Sequence, residues 1–130
     1  MPAPGASSGE LQGVVVCHGA LAGALVEAAE SISGVSGVLV PVTNTGCDRG
    51  TLEQRIVAAV GGRPTVVFVD MASGSCLVAT LARLRSELDV KVVTGVNLAM
   101  LVDFVFHLGQ SPGEAACRAA AAGGKAIRVP

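Results

Sequence analysis

Gly13-Val14-Val15-Val16-Cys17-His18-Gly19 is the stretch that decides the fold. A short apolar run leads into a histidine and a glycine, and a helix-like stretch, Ala20 to Ser31, follows. A strand that turns into a helix leaves the turn residue on the C-terminal edge of its sheet, where open α/β sheets carry their sites. His18 is therefore placed to meet a ligand. A histidine ring can carry a proton, a metal or a phosphoryl group. A capping or core histidine is the plainer alternative.

The same alternation continues along the chain. The first helix is expected over Leu21 to Ser33, with Leu21, Leu25, Ala28 and Ile32 at helical spacing. Gly37 to Val42 reads as a second strand, and Thr51 to Val60 as a second helix ended by Gly61-Gly62-Arg63-Pro64. Thr65 to Val69 is apolar nearly throughout and reads as a central strand. Asp70 ends it. A third helix over Ser75 to Leu88 repeats Leu77, Leu81, Leu84 and Leu88, and Val90 to Thr94 is a fourth strand. A helix opens after Asn97. The last helix begins with a cap signal, Ser111-Pro112 with Glu114, and should end at Gly123-Gly124. Lys125 to Val129 then reads as a short edge strand.

Helices alternating with strands imply a parallel sheet covered on both faces, an α/β three-layer sandwich. With right-handed crossovers the expected strand order is 2-1-3-4, with the short C-terminal edge strand added to a mainly parallel sheet. The strands that end in His18 and Asp70 then lie side by side at the switch point. Residues 1–11 read as a flexible Pro/Gly/Ser tail and residues 12–130 as one domain.

Composition excludes several classes of function. The chain has 130 residues, 51% hydrophobic and 15% charged, which describes a packed globule. A net charge of −1, three Phe and no Trp or Tyr leave neither a basic patch nor stacking platforms for nucleic acid. No apolar run reaches the ~18–20 residues of a membrane span, and Met1 to Gly9 lacks the features of a signal peptide. Cys17, Cys47, Cys76 and Cys117 are far apart, with no C-x-x-C and no zinc-finger spacing. They read as reduced cytosolic thiols. Cys17 and His18 would point to opposite faces of a strand, so no metal is expected there. A thiol redox pair of Cys17 and Cys76 is a separate reading from the same edge.

Three further positions bear on chemistry. An aspartate beside a histidine accepts a hydrogen bond from one ring nitrogen and leaves the other free as nucleophile. Asp70 could do this for His18, or could cap the next helix. Ser73-Gly74-Ser75 precedes that helix, so Gly74 allows close backbone approach to an anion at the helix N-terminus and Ser75 could add a donor. Alternatively Ser73 or Ser75 only caps the helix. Asn97, at the same edge, could cap its own helix, line the pocket, or both.

These residues carry a family resemblance. Val14-Val15-Val16-Cys17-His18-Gly19, Phe68-Val69-Asp70-Met71-Ala72-Ser73-Gly74-Ser75 and Thr94-Gly95-Val96-Asn97-Leu98-Ala99-Met100-Leu101 resemble, in order and spacing, the IIA domain of mannose-type sugar phosphotransferase systems. The likeness spans about residues 12 to 129. Cys17 stands where a threonine is common, Ser73-Gly74-Ser75-Cys76 replaces a Gly-Gly-Ser-Pro turn, and Ala99 replaces a proline. The resemblance implies that His18 is phosphorylated, that Asp70 orients it and that Ser75 contacts the phosphoryl group. It also implies a cytoplasmic protein without cofactor or metal that takes the group from HPr and gives it to a IIB component. It suggests a homodimer and allows association with a membrane permease complex. The alternative is a regulatory binding module whose partner reads the phosphorylation state of His18, without sugar transport.

Overall fold

The computed structural model describes residues 10–87 and 89–130. Its organising element is β1 (Gln12–Cys17), buried along its whole length. Parallel partners flank it on both sides: β2 (Leu39–Thr43) pairs Thr43 with Cys17, and β3 (Thr65–Val69) pairs Val69 with Val16. β4 (Val90–Thr94) adds outside β3, with Thr94 opposite Val69. The sheet is all-parallel in the order β2-β1-β3-β4 among the described residues. This is the expected order, and its register brings the C-terminal ends of β1 and β3 level.

Side chains alternate across β1 and β3, so each strand feeds two cores. Val15, Cys17, Val66 and Phe68 face α1 (Leu21–Ser33), α4 (Leu98–Val105) and α5 (Pro112–Lys125). Val14, Val16, Val67 and Val69 face α2 (Arg49–Val60) and α3 (Ser75–Leu84). Phe68 meets Phe104 of α4 edge to face, with ring centroids 5.1 Å apart. Gly13 makes that pair fit: a Cβ there would lie 2.7 Å from Leu39, 3.0 Å from Phe104 and 3.2 Å from Phe68. Gln12 is buried at the other end of β1. Its amide donates to the carbonyls of Ala59 and Val60 and accepts from Arg63, so the buried polar group is satisfied.

The elements differ from expectation in four places. α1 buries Ala22, Val26 and Ala29 and exposes Leu21 and Ile32, because small residues let the helix approach the sheet closely. α2 begins at Arg49, since Asp48 accepts from Thr51 N at 2.8 Å and caps it. α3 ends at Leu84. Leu88, the last member of the expected leucine repeat, lies outside the described residues, as do residues 1–9 of the expected tail. Leu11, placed in the tail by sequence, packs in the core at 5% exposure.

The fourth difference corrects the C-terminal edge strand. No strand forms over Lys125 to Val129 among the described residues, because α5 runs straight through Gly123-Gly124 to Lys125. Gly123 is there for close packing. A Cβ on it would come 2.6 Å from Met100 Cε and 3.2 Å from Asn97 Oδ1. Ile127 and Val129 beyond the helix are exposed. No helix among the described residues is long and apolar enough to cross a membrane.

Candidate functional site

His18 leaves the end of β1 and Asp70 the end of β3, as the level register requires. One carboxylate oxygen, Asp70 Oδ2, accepts from the His18 backbone amide at 2.9 Å and pairs with His18 Nδ1 at 2.8 Å. Burial pushes the Asp70 carboxyl up, but the His18 amide and ring outweigh it and hold the group below its ordinary value. Asp70 is therefore ionised at neutral pH. An ionised carboxylate only accepts, so the ring proton sits on Nδ1 and the lone pair on Nε2. The Asp70 side chain is 9% exposed and the His18 side chain 42%. The orienting group is thus sheltered while the free nitrogen reaches solvent.

Nε2 lies beside the start of α3. Ser75 Oγ is 3.4 Å from it. Gly74 is the N-cap, with φ +96°, and no side chain caps the helix there. The sequence alternative, in which Ser73 or Ser75 caps α3, is not what forms. A Cβ on Gly74 would sit 3.7 Å from His18 Cε1 and 3.8 Å from Nε2, in ordinary contact, so the positive φ is what demands glycine. The free N–H groups of the first turn and the positive end of the helix dipole create a setting suited to an anion.

Asn97 does not join this group. Its Oδ1 accepts from Met100 N at 3.0 Å, capping α4, and its Nδ2 donates to Gly123 O at 3.0 Å. Both polar atoms are engaged in capping α4 and holding it to α5, the capping role being one of the alternatives the sequence left open.

Two residues at the site escaped sequence reading. Thr43 Oγ1 donates to Gly19 O at 2.6 Å, and Asn44 Oδ1 accepts from Gly19 N at 3.1 Å, fixing the turn after His18. The strand order was the available signal, because it puts the end of β2 next to the end of β1. Cys76, which the sequence had put at the same edge, lies with its Sγ 3.8 Å from His18 Nδ1. Burial, with Asp70 nearby, raises the Cys76 thiol to about 11 and the Cys17 thiol to about 12. Neither is a thiolate at neutral pH in these surroundings. Cys17 belongs to the core facing α1, and Cys76 to the opposite core.

His107 is remote from this group. It follows α4, and its Nδ1 pairs with Asp103 O at 2.7 Å.

The family of the PTS system fructose IIA component, EIIA-man, matches residues 12–121. The chain belongs to this family. It is a IIA-type component of a sugar phosphotransferase system by descent and fold. Among solved structures, the EIIA component from Streptococcus agalactiae is similar with a TM-score of 0.84 at 18% identity, covering 92% of this chain and 96% of that one. The mannose/sorbose-specific IIA subunit from Enterococcus faecalis gives a TM-score of 0.80 at 20% identity, covering 94% and 96%. A sigma-54 interaction domain protein from Enterococcus faecalis shares the fold at a TM-score of 0.75 and 14% identity, covering 94% and 96%. No curated protein matches the sequence.

Proposed function

We propose that this IIA domain is a cytoplasmic phosphocarrier that takes a phosphoryl group from phospho-HPr onto His18 Nε2 and passes it to a IIB component. The observation that carries the reading is the ring's two-sided setting. Nδ1 is held by Asp70 at 2.8 Å, and Nε2 stands at the uncapped N-terminus of α3.

The chemistry follows from that setting. The Nε2 lone pair attacks phosphorus in line with the departing donor nitrogen, the P–Nε2 bond forms, and the donor P–N bond breaks. The ring gains positive charge while Nδ1 keeps its proton, and Asp70 stabilises that charge. Ser75 Oγ and the first amides of α3 donate to the phosphoryl oxygens, with Gly74 letting the backbone come close. Onward transfer to IIB reverses these steps. No group on this chain need gain or lose a proton in either direction, which suits a reversible carrier.

Two associations belong to the same proposal. β4 is an open sheet edge and the residues after α5 are exposed, so a second copy pairing there gives a homodimer. Docking to a membrane permease complex would occur through the IIB partner.

The fold likeness to a sigma-54 interaction domain protein favours a second reading, a regulatory module that signals through His18 phosphorylation without transport. Phosphorylation adds charge and acceptor oxygens at the site, enough to change what docks there. An in vitro chase separates the two. Transfer from the phosphorylated protein to a IIB component supports the carrier. A stable phosphoprotein that no IIB component discharges supports the regulator.

A further inference from the structure

Three elements deliver a mixed ligand set to one point. His18 follows β1, Asp70 follows β3, and Cys76 lies in the first turn of α3. One ligand atom from each falls within 4.8 Å of the others. Nδ1 to Asp70 Oδ2 is 2.8 Å and Nδ1 to Cys76 Sγ is 3.8 Å. Tetrahedral zinc, with bonds of about 2.0–2.3 Å to N, O and S, separates its ligands by roughly 3.3–3.6 Å. Seating the ion opens the Nδ1–Oδ2 pair by about half an ångström or more and draws Sγ toward Nδ1 by a few tenths.

A second observation points the same way. Asp70 Oδ1 is buried and finds no hydrogen-bond partner among the described residues. The Asp70 carboxylate therefore keeps one oxygen uncommitted while Oδ2 serves His18. Sulfur, nitrogen and oxygen donors together select a borderline-soft divalent ion.

We propose that Cys76, Asp70 and His18 Nδ1 bind a divalent cation of the zinc type, and that this binding switches phosphoryl acceptance off. Three metal-bound waters leave as the bonds to Sγ, the carboxylate oxygen and Nδ1 form. The thiol proton of Cys76 passes to solvent. The ring proton leaves Nδ1 and appears on Nε2. Thiolate and carboxylate balance the dication, and the half-exposed side of His18 leaves the fourth position to water.

The inhibitory consequence rests on the phosphocarrier reading. A protonated Nε2 has no lone pair to attack phosphorus. Conversely, a phosphorylated Nε2 keeps the proton on Nδ1 and denies that nitrogen to the metal. The two occupants exclude each other through the tautomer of one ring.

The test uses cobalt(II) as spectroscopic probe and zinc as inhibitor, on the reduced full chain. Wild type should bind one cobalt per chain with a near-ultraviolet thiolate-to-cobalt charge-transfer band. Cys76→Ala should lose the band and weaken binding by more than about 100-fold. His18→Ala, altering a half-exposed residue and sparing the core, should weaken binding comparably. Zinc at saturation should slow labelling of wild type by phospho-HPr at least about tenfold and leave Cys76→Ala unaffected. No band in wild type, or a band that survives in Cys76→Ala, overturns the site. A band without zinc inhibition overturns ligation by Nδ1. A wild type that binds cobalt but is never labelled in metal-free buffer defeats the phosphocarrier reading and leaves the metal site standing.

Discussion

Asp70 Oδ2 receives two hydrogen bonds from His18, one from its backbone amide at 2.9 Å and one from its ring Nδ1 at 2.8 Å. A single oxygen thereby sets the position of the residue and the tautomer of its ring. The amide bond ties the ends of β1 and β3 together, and the ring bond frees Nε2.

Asp70→Asn disturbs both tasks, because one atom serves both bonds. With the amide nitrogen at the Oδ2 position it donates to Nδ1 and moves the ring proton to Nε2, at the expense of the bond from the His18 backbone amide. The variant should fold, and its phosphoryl acceptance should slow by up to about 10⁴-fold, with the exposure of the ring moderating the loss. Nitrogen NMR of the imidazole reads the tautomer directly. Wild-type rates in this variant would reduce Asp70 to a structural tie.

Acid should weaken that tie in a defined window. The folded-state value of Asp70 lies below its ordinary 3.8, so its stabilisation is complete above that value and is lost as pH falls through the lower folded-state value. Urea midpoints of wild type and Asp70→Asn should therefore converge as pH falls below 3.8 and through the lower folded-state value. A constant gap across that range would show that the carboxylate's charge contributes nothing to stability.

Cys17 offers a test of which groups matter to the chemistry. Its thiol is raised to about 12 by burial and the nearby Asp70 charge, and its side chain packs in the core behind the site. Cys17→Thr should keep transfer within roughly threefold of wild type, since the thiol acts as a small neighbour. Loss of wild-type transfer on mild oxidation, absent in Cys17→Thr, would instead assign the thiol a redox role.

Gly13 shows how little room the central strand leaves. Gly13→Ala adds a methyl group 2.7 Å from Leu39 and 3.0 Å from Phe104. Overpacking of this kind costs about 1–3 kcal/mol, and the urea midpoint should fall accordingly without loss of the fold. An unchanged midpoint would mean that Leu39 and the Phe68–Phe104 pair shift freely.

Most of the frame was legible because β1 and β3 carry local signals strong enough to survive without tertiary context. Runs such as Thr65 to Val69, buried on both faces, can only be central in a parallel sheet. Crossover handedness then puts His18 beside Asp70. The misreadings share one cause, which is packing that overrides a local signal. Gly123-Gly124 has the sequence of a helix stop, but Gly123 is there to admit Met100. Leu21 and Ile32 fit a helical period, but the sheet accepts the alanine stripe beside them. Cys76 was read at this edge, but its nearness to His18 arises from how α3 enters the fold, and no spacing in the chain records it.

The residues after α5 bear on assembly. Deleting residues 126–130 removes the exposed Ile127 and Val129 and leaves the buried part of α5 intact. If these residues pair with a second copy, full-length protein is a dimer at micromolar concentration and the truncated protein is a monomer by light scattering. A full-length monomer excludes the dimer, and a dimer that survives truncation excludes this segment.

Labelling by radioactive phospho-HPr tests the central claim most directly. The account predicts one phosphoryl group per chain, labile in acid and stable in base as a phosphohistidine should be, abolished by His18→Ala and retained in His107→Ala. Label that persists in His18→Ala would contradict it.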